Sequence, residues 1–138
     1  MEEITEANIH DFIRQYSGTT NFSSDSDIFA ELEITGDDFE DFIQEYQRKF
    51  DVDMSTYLWY FHSDEEGSSL FGSIFKPPYE RVARIPVSPK MLLDFAIRKK
   101  WELIYPARNL PKRRYDLILG GMIVLGSLIA LIIYFLRN

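Results

Sequence analysis

Residues 117–136 read LILGGMIVLGSLIALIIYFL, twenty consecutive positions without a charge. A helix rises about 1.5 Å per residue, so this stretch covers about the 30 Å hydrocarbon core of a bilayer. A buried helix in a soluble fold of this size would carry a polar face, and this one has none. It reads as one C-terminal transmembrane helix. Arg108, Lys112, Arg113 and Arg114 precede it and only Arg137 follows, which places the N-terminal side in the cytoplasm. Tyr115 and Tyr134 stand near its two ends, where aromatic rings favour the interface. Gly126 and Ala130 form a small-xxx-small pair, with Gly120 and Gly121 earlier, so close packing into a homodimer is one use for this helix.

Everything upstream is polar, charged and punctuated by Gly and Pro. Residues 1–105 make one small domain with a modest core, and residues 106–116 a basic linker bracketed at its start by Pro106 and Pro111. The chain has no cysteine, so it has no disulfide framework and no thiolate nucleophile. The segment MEEITEANIHDF lacks an apolar run and is no secretory signal. Charge is asymmetric: residues 1–66 hold 18 acids and 3 bases, whereas residues 67–116 hold 4 acids and 11 bases. The acidic half would repel nucleic acid and anionic headgroups, so no nucleic-acid partner is expected. Either the two halves neutralise each other within one fold, or the acidic face serves a partner.

In chain order, Ile9, Phe12, Ile13 and Tyr16 give a helical stripe over Thr5–Ser17, with Gly18 as its stop. Residues 18–27 form a polar loop anchored by Phe22. The run IFAELEITGDDFEDFIQEYQRKFDVDM, residues 28–54, holds an amphipathic helix. Thr35 is its N-cap, Asp37 and Asp38 suit its first turn, and Phe39, Phe42, Ile43, Tyr46 and Phe50 form its apolar face. The opposite side carries Asp37, Asp41 and Glu45 at i, i+4 and i+8. Like charges at that spacing repel by a few tenths of a kcal/mol per pair. A solvated face tolerates this; a docking surface for a basic protein partner would use it to steer association.

This pattern, with Leu32 before a short turn and Lys49-Phe50-Asp51-Val52-Asp53-Met54 at the exit, resembles the second helix of acyl carrier proteins. In that family a serine at the start of this helix carries the phosphopantetheine arm. Setting Phe50 and Leu32 against their counterparts puts Gly36 at the serine position, which implies that no prosthetic group attaches there. Ser26, in Asp25-Ser26-Asp27, lies about ten residues too early to substitute. The string ITGDDFEDF, then KFDVDMSTYLWYFHSDEE and IPVSPKMLLDFAIRKKW, is similar to a bacterial family of carrier-like proteins of unassigned function, domain of unknown function fourteen ninety-three. The resemblance covers residues 4–105 and implies a fold, with no activity attached.

Other chemistries fail on spacing. A calcium loop starting at Asp51 would put Thr56 and His62, and one starting at Asp25 would put Ala30 and Gly36, where Gly and Glu are required. His10 and His62 stand in no metal-ligand spacing, and His62 reads as a packed histidine. Tyr57, Leu58, Trp59, Tyr60 and Phe61 read as core, with a binding groove as the alternative. Leu70, Phe71, Ile74 and Phe75 suggest that part of residues 63–80 folds back onto that core. Arg81–Val87 alternates well enough for one short strand. Ser88 and Pro89 then open a helix whose Met91, Leu92, Phe95 and Ala96 face inward, with Asp94 and Arg98 paired across a turn.

The fold expected is therefore mostly α: an acyl-carrier-protein-like helical bundle with one short β segment, plus the C-terminal transmembrane helix. The function expected is a membrane-anchored, non-enzymatic interaction module without cofactor or metal, its partners the lipid bilayer and a basic protein. If the chain is bacterial, the membrane is the inner one. Competing readings are a carrier or accessory protein of an acyl or lipid pathway, and a structural subunit of a membrane complex.

Overall fold

Thr5 begins the first helix because its side chain and that of Asn8 cap each other: Thr5 Oγ1 accepts from the Asn8 N–H at 3.4 Å, and Asn8 Oδ1 accepts from the Thr5 N–H at 2.8 Å. A computed structural model describes residues 3–65, 67 and 71–137 of the chain. In it, helix α1 spans Glu6–Arg14 and buries Ile9, Phe12 and Ile13. It is shorter than its stripe predicts. The turn after Arg14 tightens through bonds from Gln15 to Phe12 and from Tyr16 to Ile13, and Gly18 adopts no left-handed backbone.

Helix α2 spans Gly36–Phe50 with Thr35 at its N-cap, although the Thr35 side chain makes no capping bond. Phe39, Phe42, Ile43, Tyr46 and Phe50 are buried, as their spacing requires. Asp51 ends the helix in a left-handed conformation, φ 52°. Lys99 Nζ donates to the Phe50 carbonyl at 2.7 Å, placing a cation on the negative end of α2. Helix α3, Pro89–Arg98, starts where Ser88 Oγ accepts from the Met91 N–H at 3.3 Å. Leu92, Phe95 and Ala96 are buried and Met91 packs against the same cluster.

The core is aromatic. Phe12 of α1 lies 5.0 Å from Phe42 and 5.5 Å from Phe50 of α2, and Phe95 of α3 lies 4.7 Å from Trp101. The buried Tyr46 hydroxyl donates to the Leu92 carbonyl at 2.6 Å, joining α2 to α3. Such ring pairs each add about 0.5–1.5 kcal/mol beyond the area they bury.

The alternation over Arg81–Val87 produces no strand. Arg81 closes a 3₁₀ turn, Pro78–Arg81, and Pro86 removes one donor from the segment that follows. The chain there is held at single points instead: Ile28 N–H to Val87 O at 2.9 Å and Ile85 N–H to Phe61 O at 2.6 Å. Among the described residues the β pairing is an isolated parallel bridge between Asp53 and Lys100. Of residues 57–61 only Phe61 is fully buried, the other four being half-buried. Leu70 lies outside the described residues. Phe71–Phe75 forms a single turn in which Phe71 and Phe75 are half-buried and Ile74 is 69% exposed, so Ile74 does not fold back onto the core.

Helix α4 spans Tyr115–Arg137, about 34 Å at 1.5 Å per residue. Its mean hydropathy is 2.6 over the most apolar window, none of which is buried by the rest of the chain. Among the described residues it is the one helix long and apolar enough to cross a membrane. The protein is thus mostly helical, with an apolar helix at its C-terminal end.

Candidate functional site

The three acids expected to form one face do not have equal freedom. Asp37 and Asp41 are exposed, whereas Glu45 is half-buried and held by the Arg48 guanidinium, with Nε to Oε2 at 2.8 Å. The same contact keeps the Glu45 carboxyl below its ordinary range. Tyr16, in the turn after α1, meets Phe42 of α2 edge-on at 5.3 Å, and burial and then the Glu45 and Asp41 carboxylates push its hydroxyl up.

A second group of acids lies nearer the start of α2. Asp37 and Glu40, with Asp64 and Glu65 from the following loop, line a cleft of about 620 Å³ that also contacts Gly36, Trp59, Ser63, Arg114 and Leu117. Sequence spacing along one helix could not reveal Asp64 and Glu65, which come from another part of the chain. Leu117, in the first turn of α4, brings the apolar helix to the rim of this cleft.

Gly36 itself is buried and has φ 55°. Left-handed backbone is cheap for glycine and costs about 1–2 kcal/mol for a residue with a β-carbon. The position therefore differs from a serine in its backbone as well as in its missing hydroxyl. Ser26 is 8% exposed, and its Oγ takes the Ser23 N–H at 3.1 Å. Its neighbour Asp27 caps a turn through the N–H groups of Phe29 and Ala30 and accepts from Arg84 Nη1 at 3.1 Å. Burial opposes the charge on Asp27, but Arg84 and these N–H groups hold the carboxyl below its usual range. Within this string it is Asp27 that pins the 84–87 segment, at Arg84.

His62 is completely buried and both ring nitrogens are engaged. Nδ1 lies 2.9 Å from the Ile85 carbonyl and Nε2 lies 2.8 Å from the Tyr105 hydroxyl. Tyr105 Oη already accepts from Trp101 Nε1–H at 2.8 Å and from Leu58 N–H at 3.2 Å. Its own proton must therefore point at His62, so Nε2 accepts, Nδ1–H donates to Ile85, and the imidazole is neutral. Tyr57 stacks on the ring at 5.4 Å, and Trp101 meets it edge-on at 5.3 Å. Burial, assisted by the Arg84 charge and resisted by the Ile85 bond, pushes the imidazole down to about 4. With both nitrogens committed and no route to solvent, the ring ties the fold together.

Arg114, one of the cations read as setting topology, is also paired internally. Its Nη1 and Nη2 meet Glu65 Oε1 and Oε2 at 2.8 and 2.9 Å, and its Nε and Nη2 meet Asp116 at 3.0 and 2.7 Å. These bonds, first from Glu65 and then from Asp116, push the guanidinium further up. The pairing joins the body to the first turn of α4. The Gly126 and Ala130 face is open, with no atom near enough to meet a β-carbon added at Gly126. Among the described residues no cluster of His, Asp or Glu has metal-binding geometry.

Neither the comparison with curated proteins nor that with solved structures finds a match. A family profile described as "Protein of unknown function (DUF1493)" matches residues 1–103, from α1 through α3 to just past Trp101, and leaves the linker and α4 outside. Spanning most of the chain, the match makes this protein a member of the DUF1493 family.

Proposed function

We propose that the protein is a single-pass membrane protein whose N-terminal body works in the cytoplasm as a non-enzymatic interaction module. In a bacterium the membrane would be the inner one. The body would be carrier-like in its helix order but would hold no phosphopantetheine, and the surface offered to a basic protein partner is the acidic cleft at the start of α2. One observation carries this reading: Asp37, Glu40, Asp64 and Glu65 converge on a single cleft whose rim includes Leu117 of the apolar helix. Only Arg114 opposes their charge there, so a cationic segment moving along the membrane surface would be drawn into it. Gly36, buried at φ 55°, supports the absence of an arm.

A second reading, a structural subunit or homodimer within the membrane, is favoured by the open Gly126 and Ala130 face. Site-specific photo-crosslinking from Gln44, whose Nε2 donates to Glu40 at 3.2 Å, tests the first. In native membranes the wild-type chain should give a salt-sensitive protein adduct that Asp37→Lys with Asp64→Lys, two acids of the cleft, removes. An adduct of undiminished yield in that variant, or no adduct at all, refutes the acidic docking surface.

A further inference from the structure

The turn at Phe71–Phe75 is apolar and ordered by two bonds to the Phe71 carbonyl, from Ile74 N–H at 3.0 Å and Phe75 N–H at 2.7 Å. Ile74 is 69% exposed, while the Phe75 ring lies 6.0 Å from the ring of Tyr115, the first residue of α4. Tyr115 precedes Leu117 by two residues, about 3 Å of helix rise. A span beginning near Leu117 therefore sets Tyr115, and with it Phe75, at the boundary between headgroups and acyl chains.

We propose that this turn is a second membrane contact of the body, with the Ile74 and Phe75 side chains seated in the interface of the leaflet that α4 enters. The inference rests on α4 spanning the bilayer. The occupant is lipid because the patch is continuous with the entry point of α4 and because aromatic and branched apolar side chains suit that depth. Lys76 follows the turn and Lys112 and Arg113 are exposed on the linker. Glu65 and Glu80 line the neighbouring cleft, however, together with Gly72 and Ser73 of the turn. Attraction to anionic headgroups is thereby offset, and the apolar side chains carry the contact. Two attachments, one through α4 and one through the turn, would hold the body at a fixed tilt and keep the acidic cleft beside the membrane surface.

The chain contains no cysteine, so single-cysteine variants report cleanly. Ile74→Cys, Leu128→Cys within α4, and Ile97→Cys on α3, where Ile97 is 60% exposed, would be made in the full chain. Each would be labelled with the fluorophore NBD and placed in phosphatidylcholine nanodiscs with doxyl-labelled lipid. A shallow doxyl group should quench the Ile74→Cys label several-fold more than the Ile97→Cys label, and a deep one should quench Leu128→Cys. Replacing a third of the lipid by phosphatidylglycerol should leave this order unchanged. Quenching at Leu128→Cys with none above the Ile97→Cys level at Ile74→Cys overturns the second contact alone. A blue-shifted but unquenched Ile74→Cys label means that protein covers the turn, and also overturns it. No quenching at Leu128→Cys overturns the anchor, and the contact with it.

Discussion

Acid should loosen this fold through one side chain. His62 is held neutral: its Nε2 accepts the Tyr105 proton, and the Tyr105 oxygen has no lone pair left because Trp101 and Leu58 use both. Protonation would set Nε2–H against that hydroxyl and put a charge in a fully buried site already facing Arg84. Its imidazole is down at about 4 in the folded chain, against an ordinary value of 6.5. The unfolded chain therefore binds the extra proton first, and between those values it carries more protons than the folded one. Stability from this group is complete above pH 6.5 and is lost as pH falls towards 4. At 1.36 kcal/mol per unit the loss reaches at most about 3 kcal/mol. The measurement is urea unfolding of the detergent-solubilised full chain from pH 7.5 to 4, beside His62→Gln, which keeps a donor and an acceptor but cannot ionise. The wild-type curve should fall relative to the variant by about 2–3 kcal/mol across that window. Parallel curves, or an imidazole NMR titration with its midpoint near 6.5, would refute the neutral, doubly bonded histidine.

Three other outcomes are expected. Gly36→Ser should destabilise by about 1–2 kcal/mol because φ 55° suits glycine, and intact-mass measurement of the variant from its native host should show no phosphopantetheine. Arg114→Ala strips the partner from Asp116, which is 3% exposed, and from Glu65; a loss of about 2–3 kcal/mol in thermal unfolding, with faster proteolysis between residues 106 and 113, would show the clip at work. On the homodimer reading, Gly126→Leu should abolish disulfide-independent cross-linking of two copies in membranes while leaving the unfolding of the body unchanged, since Gly126 has no atom of the same chain near its added β-carbon.

Local chemistry was readable along the chain; what depended on distant partners was not. The stripe from Phe39 to Phe50, the Ser88-Pro89 start of α3 and the uncharged run of α4 each rest on spacing within one element, and each stands as spacing predicts. The expected strand over residues 81–87 failed because alternation measures burial on two faces and says nothing of a neighbouring ladder. Tyr105 looked like the end of the body, yet its hydroxyl serves Leu58 and His62, forty-seven and forty-three residues away. Arg114 sat among cations whose commonest use is topology, and its pairing with Glu65 crosses forty-nine residues. Gly36 could be recognised as a missing hydroxyl, but its left-handed backbone is visible only in three dimensions.

The position of Tyr105 has a practical consequence for anyone cutting the gene. The family match stops at residue 103, two residues short of the phenol that hydrogen-bonds His62, Trp101 and the Leu58 amide. A soluble fragment trimmed to that border would expose an unquenched donor on the indole and an unserved acceptor on the imidazole. Extending it by a handful of residues, past Pro106, restores all three bonds and should raise the melting temperature of the fragment.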